Sequence, residues 1–289
     1  MGKQKQRGKA MLVETHIDGY IRDKVAVAID RLRAFEPEEG YYLAFSGGKD
    51  SQTIYHLAVE AGVKFDAHYN ITGIDPPELV IFIRTNYPDV KRDMYKKSMW
   101  KLIVENGPPL QQIRFCCKHL KEKGGENRLC ITGVRWAEST RRASNRNAYE
   151  YMGKKGSEKM LFSDNDEGRR QFEQCSLKGK FIVNPIIDWL DEDVWEYLNG
   201  RSIEHCKLYD EGYKRLGCIG CPMGSTEHRE YELTRWPKFK EAYLRSFKRW
   251  LERNPEKKEK NNWNTPEDVM DWWIYKAETI DYTDSFLED

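Results

Sequence analysis

One hexapeptide limits the fold of this chain more than any other feature. The apolar run Tyr41 to Phe45 is followed by Ser46-Gly47-Gly48-Lys49-Asp50-Ser51, and apolar residues then recur at helical spacing from Ile54 to Ala61. This order predicts a strand, a glycine turn and a helix. The two glycines let the backbone approach an anion closely, and the start of the helix carries a partial positive charge. The hexapeptide therefore predicts a phosphate-binding loop.

The polar residues of the loop suit the same ligand. Lys49 adds a mobile cation, and Ser46 and Ser51 add hydroxyl donors. Asp50 can cap the helix or help to hold a magnesium ion on the phosphates. The spacing lacks the four residues that a Walker A loop has between its first glycine and its Gly-Lys pair, so this is a different phosphate loop.

Strands and helices alternate in the central part of the sequence. This order predicts an α/β fold with a doubly wound, mostly parallel sheet, an N-terminal helix at 13–35 and a helical C-terminal extension. We predict three parts: a basic segment and helix at 1–40, a nucleotide domain at 41–225 and an extension at 226–289. Residues 141–180 are polar and read as an insertion or lid. The predicted strands are 41–45, 63–71, 129–134 and 181–183, and the predicted helices after the loop are 77–87, one near Cys117, 191–198, 227–251 and 266–277.

Composition excludes several classes of protein. The 289 residues carry 48 Lys or Arg and 47 Asp or Glu, so no strong overall field would hold nucleic acid, and 39% hydrophobic residues argue against disorder. No apolar run is long enough to span a membrane, and the first ten residues lack the apolar core of a signal peptide. We therefore expect a cytoplasmic protein without a membrane partner. Seven cysteines in such a chain favour thiol, metal or redox chemistry over disulfides.

Four ordered motifs carry a family resemblance. Besides the hexapeptide they are TGVRWAESTR at 132–141, NPIIDWLDEDVW at 184–195 and LYDEGY at 208–213. The sequence resembles the PP-loop ATP pyrophosphatases, and within them the phosphoadenosine-phosphosulfate (PAPS) reductase branch. The resemblance implies an adenine nucleotide α-hydrolase-like fold that binds ATP or a sulfonucleotide, with Mg²⁺ on the phosphates.

The resemblance, together with the residue types, gives a set of expected site residues. Arg135 follows a predicted parallel strand, at the edge where ligands bind in open α/β sheets, and a guanidinium grips phosphate or sulfate bidentately. We expect Lys49, Asp50 and Arg135 to be catalytic. Arg141 and Arg142 reach the ligand from the start of the insertion, or else form a solvated basic loop. We predict Asp188 and Asp193 to cap the next helix. The expected nucleotide-binding set is Ser46, Gly47, Gly48, Lys49, Asp50, Ser51, Gly133, Arg135, Arg141 and Arg142.

Two cysteine pairs resemble those of the iron-sulfur adenosine-phosphosulfate (APS) reductases. They are Cys116-Cys117 and Cys218-Ile219-Gly220-Cys221, and four soft thiolates suit a 4Fe-4S cluster or zinc. Adjacent cysteines diverge, which disfavours one tetrahedral zinc, so we prefer the cluster with Cys116, Cys117, Cys218 and Cys221 as ligands. DNA phosphorothioation sulfurtransferases also carry cluster cysteines, and by that resemblance Cys206 could replace one of the adjacent pair. We expect Cys130 to be buried and Cys175 to be a surface residue.

Three functions remain open on this basis. The first is ATP-dependent sulfur transfer, in which a substrate oxygen attacks the α-phosphate, pyrophosphate leaves and sulfur replaces the adenylated oxygen; its partners are a nucleic-acid substrate and a sulfur donor. The second is APS or PAPS reduction with a thioredoxin-like reductant. The reductases use a C-terminal cysteine, whereas this sequence has none after Cys221, so Cys175 or Cys206 would have to replace it.

The third function is a non-catalytic module that binds nucleotides or nucleic acid. Basic residues flank Trp100, and three tryptophans stand among Lys and Arg near the C-terminus, a combination that single strands bind. For these residues we prefer another interpretation, a solvated helix face with tryptophan anchors. The residues concerned are Lys91, Arg92, Lys96, Lys97, Lys101, Trp236, Trp250 and Trp263.

Overall fold

A computed structural model describes residues 12–15, 21–122, 124–153, 159–162 and 179–275. Within them the chain divides into two compact units. The first consists of residues 1–69, 78–92 and 124–216, and the second of residues 70–77, 93–123 and 217–289. No described helix is both long and apolar enough to cross a bilayer.

A seven-stranded sheet confirms the predicted α/β class. Its order is β5-β4-β3-β6-β9-β7-β8, and the pairs β3–β4, β3–β6 and β6–β9 are parallel, whereas β7 pairs antiparallel with β8 and β9. The strands are β3 (Tyr41–Phe45), β4 (Phe65–Ile71), β5 (Lys91–Met94), β6 (Leu129–Ile131), β7 (Tyr149–Gly153), β8 (Lys159–Phe162) and β9 (Gly179–Val183). The helices between them are α2 (Lys49–Ala61), α3 (Pro77–Asn86), α4 (Met99–Asn106), α5 (Phe115–Leu120), α6 (Thr140–Asn145) and, after β9, α7 (Asp191–Gly200).

The strand order determines where a ligand can bind. From β3 the chain steps outward through β4 to β5, and β6 then pairs on the other side of β3. Leu43 is opposite Ile131 in this parallel pair, so the hexapeptide after β3 and the segment after β6 leave the sheet at the same level. A reversal of strand order opens a crevice at the carboxyl ends of the strands, where open α/β sheets bind ligands.

The start of the chain differs from its prediction. A two-stranded hairpin of β1 (Val13–Thr15) and β2 (Ile21–Asp23) precedes a shorter helix, α1 (Lys24–Ala34), so the predicted helix over 13–35 was wrong at its beginning. Asp23 accepts hydrogen bonds from Val25 N and Ala26 N and thereby caps α1. This cap determines where the helix begins, although apolar residues at helical spacing extend further back.

Buried ion pairs fasten α1 to the segment before α7. Arg31 is 3% exposed and donates to Asp188 Oδ1 at 2.9 Å and to Pro185 O at 2.8 Å, while Lys24 donates to Asp193 Oδ2 at 2.8 Å. Asp193 also accepts from the Leu190 N–H at 2.7 Å, so it caps α7 as predicted. The capping prediction for Asp188 was wrong, because its carboxylate pairs with α1 instead.

The predicted insertion contributes to the sheet. Strands β7 and β8 lie within 141–180, and Tyr149 and Tyr151 are buried. Residues 154–158 and 163–178, which include Cys175, are outside the described part of the chain. The alternation of polar and aromatic residues in YEYMG is short, which is why the sequence pattern did not predict an antiparallel edge.

The second unit is helical and has an aromatic core. Its C-terminal helices are α8 (Thr226–Arg235), α9 (Pro237–Arg253), α10 (Pro255–Asn261) and α11 (Pro266–Tyr275). The single helix predicted over 227–251 is therefore two helices, because Pro237 cannot continue α8 and occupies the first turn of α9. Tyr243 and Trp273 pack with ring centroids 4.8 Å apart, and the guanidinium of the buried Arg229 lies 4.4 Å from the centroid of Trp273.

Candidate functional site

The phosphate loop has the backbone geometry that its sequence predicts. Gly47 has a positive φ of +73°, and an added Cβ would lie 2.6 Å from the Ile83 side chain, so only glycine fits this position. The N-cap residue of α2 is Gly48, which has no side chain to accept from the first turn. The Lys49 N–H donates instead to Tyr209 Oη at 2.9 Å. A phosphate oxygen can replace this hydroxyl as the acceptor at the helix N-terminus.

Two cations and two carboxylates form a closed ring beside the loop. Arg135 donates from Nε to Asp50 Oδ1 at 2.7 Å and from Nη2 to Asp191 Oδ1 at 2.8 Å. Lys49 Nζ lies 3.1 Å from Asp191 Oδ1 and 3.7 Å from Asp50 Oδ2. We call Lys49, Asp50, Arg135 and Asp191 the charge ring. Its formal charge is zero. When an anionic ligand binds, it must replace the two carboxylates as the partner of Lys49 and Arg135, and a divalent cation or solvent must then bind the carboxylates.

The two cations of the charge ring are buried, and the carboxylates are more open. Lys49 and Arg135 are 4% and 2% exposed, whereas the side chains of Asp50 and Asp191 are 23% and 52% exposed. Further contacts hold the cations, since Lys49 Nζ donates to Lys214 O at 3.3 Å and Arg135 Nη1 to Trp189 O at 3.4 Å. Buried cations with more exposed counter-ions are suited to exchange one anion for another.

Gly133 brings the segment after β6 close to α2. An added Cβ at Gly133 would lie 2.9 Å from the Asp50 carbonyl oxygen, which leaves no room for a side chain. This close approach lets Arg135 reach Asp50, 85 residues away in sequence. Gly133 therefore acts on the site through backbone packing.

Further arginines lie next to the charge ring. Arg142 pairs with Glu138, and Arg146 donates to the buried Glu150 at 2.6 Å. Burial, followed by the positive charges of Arg215, Arg146 and Arg135, lowers the pKa of Arg142 to about 10. Arg142 is still a cation at neutral pH, and the arginines that help to lower its pKa lie close to it. We call Arg142, Arg146 and Arg215 the arginine cluster.

The predicted loop and arginine residues have different positions in the structure. Ser51 is buried and donates to Gly48 O at 2.8 Å, and the exposed Ser46 donates to Ser51 Oγ at 3.2 Å. Arg141 is exposed, and its carbonyl oxygen accepts hydrogen bonds from the side chains of Ser144 and Asn145. Of the two arginines predicted at 141 and 142, the structure brings Arg142 to the charge ring.

Three residues of the site were missed by reasoning from sequence. Asp191 completes the charge ring, Tyr209 accepts from the loop, and Arg215 belongs to the arginine cluster. Asp191 and Tyr209 lie inside the motifs NPIIDWLDEDVW and LYDEGY, so the family resemblance could have identified them as site residues. Arg215 follows the second motif by two residues, and no pattern in the sequence distinguished it from other surface arginines.

The second unit contains the four cysteines of the predicted metal site. Cys116 and Cys117 lie on α5, and Cys218 and Cys221 lie on a turn closed by the Cys221 N–H and Cys218 O at 3.2 Å. All four are free thiols. A hydrogen bond from Cys116 lowers the pKa of Cys117 to about 6, and the same contact, burial, and the nearby Cys218 and Cys221 raise the pKa of Cys116. The two pairs are therefore close enough to interact electrostatically.

Charged neighbours surround the CxxC turn. The Lys121 ammonium hydrogen-bonds Cys218, and the negative charge there raises the pKa of Lys121, so it stays protonated. Cys218 also lies 3.6 Å from the buried Asp75, and burial raises the pKa of the Cys218 thiol to about 12. Within the part of the chain that the structure describes, no three His, Cys, Asp or Glu side chains converge on one metal-ion position.

Two further cysteines of the described residues, and three tryptophans near the C-terminus, are buried. Cys130 is 1% exposed, as predicted, and its thiol lies near the carbonyl oxygens of Gly125 and Arg128. Cys206 is equally buried, and burial raises its pKa. The three tryptophans considered for stacking on nucleic acid are between 6% and 8% exposed, which agrees with the preferred interpretation of tryptophan anchors under a solvated helix face: Trp236, Trp250 and Trp263.

The fold and the charge ring define a class of protein: an α/β nucleotide-binding protein whose phosphate loop lies where the strand order reverses. The family model of the phosphoadenosine phosphosulfate reductase domain matches residues 40–223, and the chain belongs to this family.

Similar proteins come from archaea, bacteria and yeast. Uncharacterized protein MJ0066 of Methanocaldococcus jannaschii is 26% identical over 81% of this chain and 44% of its own length. An adenosine 5'-phosphosulfate reductase of Oceanobacillus iheyensis is 26% identical over 55% of this chain and 60% of its own length. A phosphoadenylyl-sulfate reductase structure from Candida auris in a phosphate complex covers 66% of this chain and 87% of that chain, at 16% identity and a TM-score of 0.43. The chain thus spans less than half the length of the first of these relatives.

Proposed function

We propose that this protein binds ATP and acts in sulfur transfer by adenylating an oxygen of its substrate. The observation that carries the proposal is the charge ring at the open N-terminus of α2. Its buried Lys49 and Arg135 are placed to hold a pyrophosphate group, and its more exposed carboxylates, Asp50 and Asp191, are the oxygen ligands that Mg²⁺ prefers. The arginine cluster adds positive charge next to this position.

The proposed reaction needs no change of oxidation state. The substrate oxygen attacks the α-phosphorus, the bond from the α-phosphorus to the bridging oxygen breaks, and pyrophosphate leaves with the electron pair. A sulfur donor at the oxidation level of hydrosulfide then displaces AMP. The first-turn N–H groups of α2, together with Lys49 and Arg135, stabilise the charge that develops on pyrophosphate. Such electrostatic stabilisation is the main means of accelerating phosphoryl and adenylyl transfer.

The cysteines fit an iron-sulfur cluster by their chemistry. Four free thiols from two segments lie within electrostatic range of one another, and the Lys121 ammonium at Cys218 offsets negative charge. A cubane cluster binds one thiolate at each iron, so its four ligands do not have to converge on a single metal ion, and such a convergence is absent from the described residues. We propose that Cys116, Cys117, Cys218 and Cys221 would hold a 4Fe-4S cluster, which when bound supplies a site for sulfur or electrons.

The position of cleavage in ATP tests the reaction. With RNA as the candidate substrate and ATP labelled at the γ-phosphate, we expect label in pyrophosphate and loss of that product in Lys49→Ala. The exposed Lys207 offers a matched control, and Lys207→Ala should keep the activity. Label appearing in inorganic phosphate instead would contradict adenylation.

A second candidate is the reduction of APS or PAPS, and the arginine cluster favours it because guanidinium groups bind sulfate as well as phosphate bidentately. Sulfite formed from either nucleotide with thioredoxin as reductant would identify this reaction. Cys206→Ser should then leave the rate unchanged, since a buried thiol with a raised pKa is a poor nucleophile. No sulfite from either nucleotide would contradict this candidate.

A further inference from the structure

Helix α9 has two chemically different faces. Its inner face is aromatic: Tyr243 and Phe247 are fully buried, and Tyr243 donates from its hydroxyl to Ile219 O at 2.9 Å, within the CxxC turn. Its outer face carries four exposed basic residues at helical spacing, which we call the basic stripe. They are Lys238, Arg245, Arg249 and Arg253.

The basic stripe concentrates charge in a chain that is otherwise balanced. Residues 237–261 carry nine Lys or Arg against four Asp or Glu, whereas the whole chain has a formal charge of +1. The stripe is about 22 Å long, from a rise of about 1.5 Å per residue. Lys238 and Arg249 have no ion-pair partner among the described residues. The same is true of Lys240 and Lys248, which lie next to the basic stripe on the same helix.

Acidic residues compensate only part of this charge. Arg245 lies 3.6 Å from Glu241, and both side chains are 64% exposed, so solvent weakens the pair. Arg253 is near enough to Glu105 on α4 to help lower the pKa of that carboxyl, after Lys97 and together with Lys101. Arg253, at the end of the basic stripe, and Lys101 on α4 therefore both lie near Glu105.

The composition of this face indicates the kind of partner. No large apolar side chain on α9 or α10 is exposed, and the tryptophans that the sequence places there are buried. A protein partner needs apolar or aromatic residues at the centre of an interface. A row of arginines and lysines one to two turns apart instead matches the repeating phosphates of a nucleic-acid backbone, which basic side chains bind without reading sequence.

We propose that the basic stripe binds the sugar-phosphate backbone of a nucleic acid. The basic stripe and the four cysteines belong to the same unit, and α9 separates the stripe from the CxxC turn. A strand held on the outer face of α9 is therefore about one helix diameter, roughly 10–12 Å, from this turn. The further step, that this nucleic acid is the sulfur acceptor, rests on the proposed function. Binding itself does not require it.

Salt dependence of binding by the full-length protein tests the surface. The probe is a fluorescein-labelled single-stranded RNA of about 20 nucleotides, and anisotropy is recorded from roughly 50 to 200 mM salt. Four phosphate contacts give a slope of log Kobs against log salt of about −2.8, and affinity falls about 50-fold over this range. Lys238→Glu/Arg245→Glu/Arg249→Glu should reduce the magnitude of the slope by about 2.

A charge-matched variant provides the control. Lys64→Glu/Arg84→Glu/Lys207→Glu changes three exposed residues of the first unit by the same total charge, and it should bind like the parent protein. Equal loss in both triple variants would overturn the proposal, as would no binding at low salt. Competition by poly-glutamate as effective as that by RNA would overturn it in favour of an acidic protein partner. Lys49→Ala should abolish pyrophosphate release while keeping RNA binding, which separates this proposal from the proposed reaction.

Discussion

Arg135 is almost entirely buried, yet its guanidinium donates hydrogen bonds to carboxylates on two different helices. Nε reaches Asp50 at the start of α2, and Nη2 reaches Asp191 at the start of α7. A planar fork with fixed donor directions can bridge two acceptors, whereas the ammonium of lysine is a point charge on a flexible stem. The arrangement therefore depends on arginine and not on positive charge alone.

Arg135→Lys should weaken nucleotide binding. One or two charge-assisted hydrogen bonds are lost, each worth about 1.5–3 kcal/mol, so we expect the Kd for ATP to rise by about tenfold or more. Isothermal titration calorimetry measures the Kd. Arg84→Lys on the exposed face of α3 is the control and should bind like the parent protein. If the Kd of the Arg135→Lys variant for ATP is within about twofold of that of the parent protein, the two-pronged hydrogen bonding of arginine is not needed for nucleotide binding.

At the scale of elements, β7 connects the arginine cluster to the sheet. Glu150 on β7 is completely buried and accepts from Arg146 Nε at 2.6 Å and from Asn184 Nδ2 at 2.7 Å. Asn184 accepts in turn from Thr132 at the end of β6. This network links the edge hairpin with two of the family motifs and fixes the backbone around Arg146.

Glu150→Ala should destabilise the protein, because it leaves the Arg146 guanidinium and the buried Asn184 amide without this acceptor. Removing one partner of a buried charge pair costs about 3–5 kcal/mol, and the 25% exposure of Arg146 places the expected loss at or below about 3 kcal/mol. Urea unfolding at neutral pH measures the free energy of unfolding. Glu126→Ala at an exposed position should change it by less than about 0.5 kcal/mol. An unchanged stability in Glu150→Ala would contradict the network.

At the scale of the whole molecule, the two cysteine pairs come from distant parts of the chain. Cys116-Cys117 and the CxxC turn are about 100 residues apart in sequence, yet they belong to one unit. A cofactor bound by all four would restrain a long loop of the chain, and its binding energy would add to the stability of the fold.

Anaerobically purified protein should therefore contain iron and acid-labile sulfide in equal amounts, about four of each per chain. Cys117→Ser and Cys221→Ser should each lose the iron and lower the Tm relative to the loaded protein. Cys206→Ser should keep the iron, since Cys206 belongs to the other unit. Zinc in place of iron, or loss of iron only in Cys206→Ser, would contradict the proposed ligand set.

Much of the fold could be predicted because its signals are local. The apolar run before Ser46, the glycines of the loop and the motif around Asp191 each lie within a dozen residues, and they predicted β3, the start of α2 and the family. The hairpin before α1 and the edge strands β7 and β8 were missed, since short strands with mixed polarity resemble loops in sequence.

The sequence alone determined the chemistry that is available: a phosphate loop, a set of arginines, two cysteine pairs and a basic C-terminal region. Only the tertiary structure decided which of these residues act together. It joined Lys49, Asp50, Arg135 and Asp191 into a ring and placed Arg215 near Arg142. It also buried three C-terminal tryptophans while leaving one face of α9 basic: Trp236, Trp250 and Trp263. The physical reason is that helical and strand periodicity is set by neighbours along the chain, whereas ion pairs over 85 residues depend on strand order and packing.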